Sequence, residues 1–357
     1  MPRNLAAFLD GTWSDSNAHT NVVQICDRVP EVAPGGLRQE KCYVRGVGTG
    51  VSDRLLGGAF GVGLDDNIKK AYAFLAQRWT SDDDRIHLIG YSRGAFTARS
   101  LAGMIAKCGL ISADVLSTDA AFARYRDTSA PGLRELQAGE QRPRNAQDEA
   151  VLTHSQLVRI RFLGVFDTVG ALGIPGGLGR WFNRRRYEFH DTNLSGLVDV
   201  ACHAVAVDEH RGLFVPTMWT SVPRPVPDHP TRVEQRWFVG GHTNIGGGGT
   251  AQPQRDNPLS VLTREWIVRR AVEAGLVVDP PRPAPTGDEW QGRIDDWSTT
   301  LLGRLAGLLP FNRRLLRPVR EATEETLDDG VLRRWGTGRP PYEPRNPHLE
   351  PWVRTLL

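Results

Sequence analysis

A serine flanked by glycines is the feature that most constrains how this chain can fold. The stretch reads HLIGYSRGAF, with Gly90 and Gly94 two residues to either side of Ser92. The preceding residues, Arg85–Gly90, have the pattern of a buried strand, and Ala95–Lys107 has a helical pattern that begins with small residues. Glycines at both positions allow a turn so tight that side chains would collide with neighbouring backbone. The sequence therefore predicts a strand, a strained turn at Ser92 and a helix.

This order of strand, serine turn and helix is typical of a nucleophile elbow, which holds the serine above the end of a parallel sheet. The helix that follows points its N-terminal N–H groups and the positive end of its dipole at the serine, which favours developing negative charge. A glycine-rich turn that arose by chance is the alternative. We predict that Ser92 is a nucleophile.

Composition and charge limit the classes of protein to which the chain can belong. Its 357 residues, 40% apolar and 24% charged, suit one large globular α/β domain or two small ones. A net charge of +3 is too small to indicate a nucleic-acid partner. The four cysteines show no C-x-x-C spacing, which favours reduced thiols over a zinc site or disulfides. We see neither a signal sequence nor a run of about 20 apolar residues, and therefore expect a cytoplasmic protein.

Strand and helix patterns alternate along most of the chain. Candidate strands are Leu5–Leu9, Lys41–Arg45, Arg85–Gly90, Val158–Phe166 and Gln235–Val239. Val198–Val207 fits a strand or a buried helix, Asp65–Trp79 has helical spacing, and the glycine-rich Gly46–Gly63 is typical of a loop. Such alternation favours a mostly parallel sheet with helices on both faces. We predict an α/β fold with residues 1–280 as the main domain and residues 281–357 as a helical or irregular appendage packed on it.

A nucleophilic serine needs a histidine as base and a carboxylate that orients the histidine. In α/β hydrolases these follow the serine in the order acid, then histidine, each in a loop beyond the carboxyl end of a strand. Asp167 directly follows the strand pattern FLGVF, and His242 follows a strand within a glycine-rich loop, so we predict these two residues. The alternatives are Asp208 and Asp256 for the acid, and His203 and His210 for the base. A loop acid that only caps a turn is the alternative interpretation of Asp167.

The first strand pattern ends in the turn Asp10-Gly11-Thr12. In this class of fold, a loop after an early strand contributes one backbone N–H to the oxyanion hole, and the residue after the nucleophile contributes the other. We expect Arg93 and either Gly11 or Thr12 to be these donors, with Asp10 bracing the turn. Asp10 precedes the serine, so a role as the catalytic acid would break the expected order.

Longer stretches carry a family resemblance: FLDGTW, VGTG, GLDDNIKKAY, IGYSRGAFTARSLAGMI, FDTVGALG, FHDTNLS, HAVAVDEHRGLFVPTMW and GGHTNIGGG, with a weaker match in VLRRWGTGRPPYEPRNP. With these, the chain resembles the α/β-hydrolase domain of bacterial type VI secretion phospholipase effectors and their relatives. The resemblance implies that Ser92, Asp167 and His242 form the family's triad. Asn244 stands where the family usually has Asp, and Ser14 where it usually has Asn.

The resemblance implies a serine ester hydrolase, a lipase or phospholipase that acts on acyl esters through an acyl-enzyme intermediate. A soluble short-chain carboxylesterase and a catalytically silent binding module are the alternatives. We expect no cofactor or metal, because no residues have catalytic-zinc spacing and a serine triad needs none; calcium held by acids such as Asp65 and Asp66 is the alternative. Beyond the substrate, an immunity or delivery protein is a further partner class, with delivery by a secretion system that needs no signal peptide.

Two segments predict contact with a lipid surface. Trp181 and Phe182 lie in WFNRRRY, between the acid and the histidine, where hydrolases of this fold often insert a lid. Leu301–Leu316 interleaves leucines with arginines at near-helical spacing. Apolar side chains there would enter the acyl-chain region of the membrane surface, while arginines contact lipid phosphates. The alternatives are a helix packed on the core for Leu301–Leu316 and an anionic partner for the basic-aromatic loop.

Overall fold

The computed structural model describes residues 2–11, 14, 18–47, 60–170, 194–223, 231–248, 257–295, 315–339, 341–344 and 346–357. The described residues form a seven-stranded sheet in the order β2-β1-β3-β4-β5-β6-β7, and each neighbouring pair is parallel. The strands are β1 (Arg3–Leu9), β2 (Arg38–Val44), β3 (Arg85–Tyr91), β4 (Ile160–Phe166), β5 (Val198–Ala206), β6 (Arg232–Phe238) and β7 (Glu325–Leu327). The predicted α/β class with a mostly parallel sheet is confirmed.

Helices connect the strands. They are α1 (Asn21–Asp27), α2 (Phe60–Arg78), α3 (Arg93–Cys108), α4 (Thr118–Arg126), α5 (Leu133–Gln137), α6 (Ala146–His154), α7 (His242–Gly246), α8 (Pro258–Glu273), α9 (Asp329–Arg334) and α10 (Leu349–Arg354). Short 3₁₀ turns occupy Gly212–Phe214 and Glu289–Gln291. Several helices begin where a side chain accepts a backbone N–H, as Thr20 does for α1 and Asn257 for α8.

Both faces of the sheet are buried, as a parallel sheet requires. Along β1, Leu5 and Leu9 pack in one apolar cluster with residues of α2 to α6, whereas Phe8 points to the opposite cluster with residues of α1 and α8. Successive side chains of a strand point to opposite faces, so the continuous apolar run of β1 supplies both cores at once.

The C-terminal residues complete the sheet. Strand β7 pairs with β6, and a third apolar cluster joins β5 and β6 to α9 and α10 through residues such as Trp237 and Trp352. The stretch beyond residue 280 was predicted as an appendage of helical or irregular structure; its described residues also contain this edge strand.

Some element boundaries differ from those that the sequence predicts. The ambiguous stretch around residues 198–207 is the strand β5, and α2 begins at Phe60, within the glycine-rich stretch predicted as loop. The short helices α4 to α6 stand between β3 and β4, where the sequence patterns named no element. Because all strands are parallel, the loops after β1, β3, β4 and β6 meet at one edge of the sheet, and the candidate site lies there.

Candidate active site

Ser92 occupies the turn between β3 and α3. Its backbone has φ 56° and ψ −118°, a conformation that is energetically unfavourable for any residue other than glycine. A Cβ at Gly90 would overlap the Gly94 carbonyl oxygen, and one at Gly94 would overlap the Leu9 carbonyl oxygen at the end of β1. Glycine is therefore required at both positions for the turn to pack against the sheet. The Ser92 N–H donates to the Phe166 carbonyl at 2.9 Å, which ties the turn to the end of β4.

The three residues predicted as a triad meet in one hydrogen-bonded chain. Nε2 of His242 lies 2.8 Å from Oγ of Ser92, and Nδ1 of His242 lies 2.6 Å from Oδ2 of Asp167. All three are buried. A carboxylate only accepts hydrogen bonds, so Nδ1 carries the proton and Nε2 is left to accept one from the serine hydroxyl. In this tautomer the imidazole can act as a base toward Ser92.

Asp167 accepts hydrogen bonds from other donors in addition to His242. It follows β4 directly with φ 39°, and its Oδ1 accepts the N–H of Ala206 at 3.0 Å. The guanidinium of Arg317 donates to both carboxylate oxygens, at 2.5 Å to Oδ1 and 2.9 Å to Oδ2. Burial alone would raise the pKa of the Asp167 carboxyl, but Arg317 and then His242 hold that pKa well below its ordinary value. Asp167 is therefore ionised at neutral pH.

Arg317 is a site residue that the sequence reasoning missed. Its partner is 150 positions away in the chain, and Arg317 directly follows Leu301–Leu316, the segment predicted to contact lipid. A buried carboxylate needs compensating donors, which is a signal for a cation somewhere in the chain but does not indicate which one.

Aromatic rings enclose the imidazole of His242. The rings of Tyr91 and Phe214 lie 4.9 Å and 4.8 Å from it, centroid to centroid. Gly246 lies so close to the Tyr91 ring that any Cβ there would overlap it. Burial lowers the pKa of His242, and hydrogen bonding to Asp167 opposes this; the net direction is downward. The imidazole is thus neutral, and able to accept a proton, at neutral pH.

A second acid orients the backbone of His242. Oε2 of Glu209 accepts the His242 N–H at 3.2 Å, and the same carboxylate pairs with Arg211 at 2.7 Å. Burial raises the pKa of Glu209, but Arg211 outweighs this and lowers it to about 2. The Arg211 guanidinium lies 3.6 Å from the centroid of the Phe214 ring. This network fixes the start of α7.

The turn after β1 lies against the serine, but with one difference from expectation. A Cβ on Gly11 would stand 3.3 Å from Cβ of Ser92. The Gly11 N–H, however, donates to Oδ1 of Asp10 at 2.7 Å, and Oδ2 accepts the hydroxyls of Thr20 at 2.6 Å and Tyr43 at 2.8 Å. Asp10 therefore braces the turn, and the N–H of Gly11 that was expected to serve an oxyanion is already engaged. Thr12 lies outside the described residues.

The alternative acid and bases make other contacts. Oδ2 of Asp208 accepts the Gly240 N–H at 2.7 Å and the Tyr342 hydroxyl at 3.0 Å, and Nε2 of His203 accepts the Thr168 N–H at 3.1 Å. His210, like Asp208, lines a separate cavity of about 660 Å³ beside the C-terminal residues. Asp256 lies outside the described residues.

Other sequence predictions concern residues around the site. Trp181, Phe182 and positions 301–314 lie outside the described residues. Leu315 and Leu316, which end the predicted interfacial segment, are 46% and 45% exposed. Oδ1 of Asn244 accepts the N–H groups of Gly241 and Asp295, each at 2.9 Å.

The described part of the chain holds neither a metal-binding cluster of His, Cys, Asp or Glu side chains nor a membrane-spanning helix. Its residues contain no group of three or more His, Cys, Asp or Glu side chains that could hold a metal ion. Asp65 and Asp66, the acids considered for calcium, form ion pairs with Arg126 and Lys69. Of the helices described, none is long and apolar enough to cross a membrane.

Comparison with known proteins identifies the family. The model of the T6SS phospholipase effector Tle1-like catalytic domain matches residues 3–270. The chain belongs to this family. The family that the sequence resemblance indicated is thereby confirmed.

Individual relatives are more distant or only partly covered. An uncharacterized protein of Saccharomyces cerevisiae is 31% identical over 245 residues, which cover 62% of this chain and 33% of that protein. The chain therefore spans about a third of the length of this curated relative. Among solved structures, an uncharacterized protein from Pseudomonas aeruginosa is 17% identical with a TM-score of 0.43. The match covers 78% of this chain and 46% of that protein's chain. The Tle1 effector bound to the VgrG spike of the type 6 secretion system is 17% identical with a TM-score of 0.39. The match covers 72% of this chain and 53% of that one.

Proposed function

We propose that this Tle1-like chain is a serine ester hydrolase in which Ser92 is the nucleophile, His242 the base and Asp167 the acid that orients the base. The single observation that supports this most is the hydrogen-bonded chain from Oγ of Ser92 through His242 to Asp167. The strained backbone of Ser92 supports it independently, since such strain clusters at active sites.

The proposed reaction has two halves. Oγ of Ser92 attacks the carbonyl carbon of an ester while Nε2 of His242 takes the hydroxyl proton, giving a tetrahedral intermediate. His242 then gives this proton to the departing alcohol oxygen, and an acyl-enzyme remains. In the second half a water molecule loses a proton to Nε2 and attacks the acyl carbon; the proton returns to Ser92 as the carboxylic acid leaves. Asp167 stays ionised and stabilises the imidazolium formed in each half.

Negative charge on the carbonyl oxygen needs hydrogen-bond donors. We propose the backbone N–H of Arg93, the first residue of α3, because it follows the nucleophile and lies at the positive end of a 16-residue helix. With the Gly11 N–H engaged by Asp10, we propose Thr12 as the second donor. The Asp10 brace keeps this turn against Ser92.

Active-site labelling tests the mechanism. A fluorophosphonate probe should label the wild-type chain at Ser92, as mapped by peptide mass spectrometry, and should not label Ser92→Ala. Ser92→Ala should retain the wild-type Tm, because one buried hydroxyl contributes little to packing. A folded wild-type chain that resists labelling would favour the alternative, a catalytically silent binding module.

We further propose that the substrate is a lipid acyl ester met at a membrane surface. The phospholipase-effector family supports the lipid class. The half-exposed Leu315 and Leu316, at the end of the arginine- and leucine-rich segment, support contact with an interface. A soluble short-chain ester is the alternative substrate.

Rates measured on aggregated and on soluble substrates distinguish a lipid ester from a short soluble ester. Hydrolysis of phospholipid should rise sharply when the substrate forms vesicles, more so with anionic lipid, while a short soluble ester is hydrolysed more slowly. Trp181→Ala/Phe182→Ala and Leu315→Ala/Leu316→Ala should each weaken this rise and spare the soluble ester. Leu356→Ala/Leu357→Ala changes two exposed leucines at the C-terminus and is the matched control, expected to behave as wild type. A strict preference for the short ester would refute the lipase assignment.

A further inference from the structure

Arg317 connects the C-terminal segment to the candidate active site. It lies eight positions before β7 and beyond residue 270, where the match to the family's catalytic domain ends. Its side chain is 2% exposed and faces Asp167, whose side chain is fully buried. The segment from residue 315 onward thus supplies a charge to the hydrogen-bonded chain of Ser92, His242 and Asp167.

The guanidinium of Arg317 is fixed by four acceptors. Beside the two oxygens of Asp167, Nη1 donates to the Ala206 carbonyl at 3.0 Å and Nη2 donates to the Phe214 carbonyl at 2.5 Å. The Asn346 side chain donates to the Arg317 carbonyl at 2.7 Å. A planar guanidinium suits such a fork, whereas an ammonium would act as a single point charge.

Removing this cation has a definite electrostatic consequence. Asp167 and His242 share a short hydrogen bond, so they titrate as a coupled pair that binds its proton jointly. A positive charge touching the pair makes it bind a proton less readily, whichever residue receives it. Without the cation the pair would take up a proton at higher pH.

Other charged and titratable groups face the same pair. From the elements packed around it, these are Glu209, Arg211, Tyr91 and His203. Glu209 and Arg211 neutralise one another at 2.7 Å, and Nε2 of His203 accepts a backbone N–H, so that ring is neutral. None of these four contributes a cation in contact with Asp167, and Arg317 therefore dominates the charge balance at the acid.

We propose that Arg317 is a positioning residue, which holds Asp167 ionised and correctly oriented and keeps His242 available as a neutral base over a wider range of acid pH. The proposal rests on the triad assigned above. It makes the C-terminal segment part of the active site of this chain, because that segment delivers the arginine.

The test compares four chains: wild type, Arg317→Met, Arg317→Lys and Arg124→Met. Met removes the charge and keeps much of the side-chain volume, whereas Lys keeps the charge. Arg124 is the matched control, because it also pairs with a fully buried aspartate, Asp148, at 2.8 Å and is itself 1% exposed, but it joins α4 to α6. The titration of His242 is followed by NMR of its Cε1–H, assigned with His242→Gln. The rate of fluorophosphonate labelling is measured across the same pH range.

In Arg317→Met the His242 midpoint and the acid limb of the labelling rate should both move to higher pH, by about 1 unit or more. Arg317→Lys should keep the wild-type midpoint with a lower plateau rate, and Arg124→Met should lose stability without moving the midpoint. An unchanged midpoint in folded Arg317→Met would overturn the proposal. If wild type resists labelling while the midpoint still shifts in Arg317→Met, the serine-hydrolase proposal fails and the electrostatic one stands.

A second measurement applies if Arg317→Met does not fold. In Asp167→Asn the buried guanidinium loses its counter-charge, so the double variant Asp167→Asn/Arg317→Met should melt at a higher temperature than Asp167→Asn alone. A double variant that melts at the same or a lower temperature would overturn the proposed charge pairing of Arg317 with Asp167.

Discussion

Two buried arginine–aspartate pairs stand in different parts of this molecule. Asp148 in α6 accepts from Arg124 at 2.8 Å and from Arg144 at 2.8 Å, so two arginines neutralise it. Asp167 at the end of β4 accepts from Arg317 and from His242. The first carboxylate has partners that stay charged at any ordinary pH, whereas the second has a partner that can gain or lose a proton. The same ionic chemistry thus joins two helices in one place and holds the imidazole of His242 in the other.

The backbone differs in the same way. Asp148 lies in a regular helix, while Asp167 and Ser92 both have positive φ values, 39° and 56°. Strain of this kind persists only where the surrounding structure fixes it. The carboxyl edge of the sheet thus combines strained backbone with buried charge, whereas the buried charge of Asp148 stands on regular helical backbone. Substitutions in the two regions should separate activity from stability.

The largest effect on activity is expected when each aspartate is changed to asparagine. Asp167→Asn should lower kcat/KM for an ester by about 10⁴-fold, since an amide no longer favours the reactive tautomer of His242. Asp148→Asn should leave kcat/KM nearly unchanged and lower the free energy of unfolding by about 3 kcal/mol, because Arg124 loses a buried counter-charge. Ester hydrolysis and denaturant unfolding of both variants measure this. Equal losses of activity would show that the two pairs do not differ in role.

A smaller effect, on stability alone, is expected from a histidine in the middle of the sheet. His87 on β3 is fully buried, and neither ring nitrogen has a hydrogen-bond partner among the described residues. Burial lowers its pKa to about 3. Between pH 6.5 and about 3 the unfolded chain therefore binds a proton that the folded chain does not, and stability falls as the pH falls.

His87→Leu should remove this contribution, which amounts to about 1.4 kcal/mol per pH unit within that window. The free energy of unfolding, measured by denaturant at several pH values, should thus depend less steeply on pH than in wild type. His154→Gln, at an exposed histidine, is the control. An unchanged slope in His87→Leu would show that His87 takes up its proton over the same pH range in the folded and the unfolded chain.

The sequence predicted those parts of the site that depend on local pattern and chain order. Gly90 and Gly94 mark a turn that only glycine can make, and parallel strands bring the loops with Asp167 and His242 to one edge. Arg317 could not be predicted in this way, because its pairing with Asp167 depends on where residues beyond 280 pack. A basic residue near leucines is ordinary on a protein surface, so its local sequence carries no sign of burial.

The N-terminal turn shows a second limit of the sequence. That the Asp10 carboxylate braces the turn is readable from Asp-Gly-Thr, but its acceptance of the Gly11 N–H depends on the side-chain rotamer. Elements α4 to α6 were missed because short helices with weak apolar periodicity resemble loops. The sequence therefore predicted the succession of strands along the chain better than it predicted contacts between distant side chains.

A smaller effect on activity is expected at the alternative acid. Asp208→Asn should change kcat/KM by less than about 10-fold, because Asp208 contacts Gly240 and Tyr342 rather than the imidazole. An asparagine oxygen can still accept both hydrogen bonds, so the loss of stability should be about 1 kcal/mol. Ester hydrolysis by this variant is compared with that of Asp167→Asn. A result in which Asp208→Asn abolishes activity and Asp167→Asn does not would reverse the assignment of the acid.

The smallest effect is expected at Asn244, where the family usually has Asp. Its Oδ1 accepts two backbone N–H groups, and its Nδ2 lies 3.3 Å from a carboxylate oxygen of Asp295. Asn244→Asp would keep the two accepted hydrogen bonds but place two carboxylates side by side, which should cost about 1 kcal/mol of stability at neutral pH. Asn244→Asp/Asp295→Asn removes the repulsion and should recover that stability. Because neither group touches His242 Nε2 or Ser92, kcat/KM should stay close to wild type in both variants; a large loss of activity in Asn244→Asp that the second change does not restore would place position 244 in the catalytic machinery.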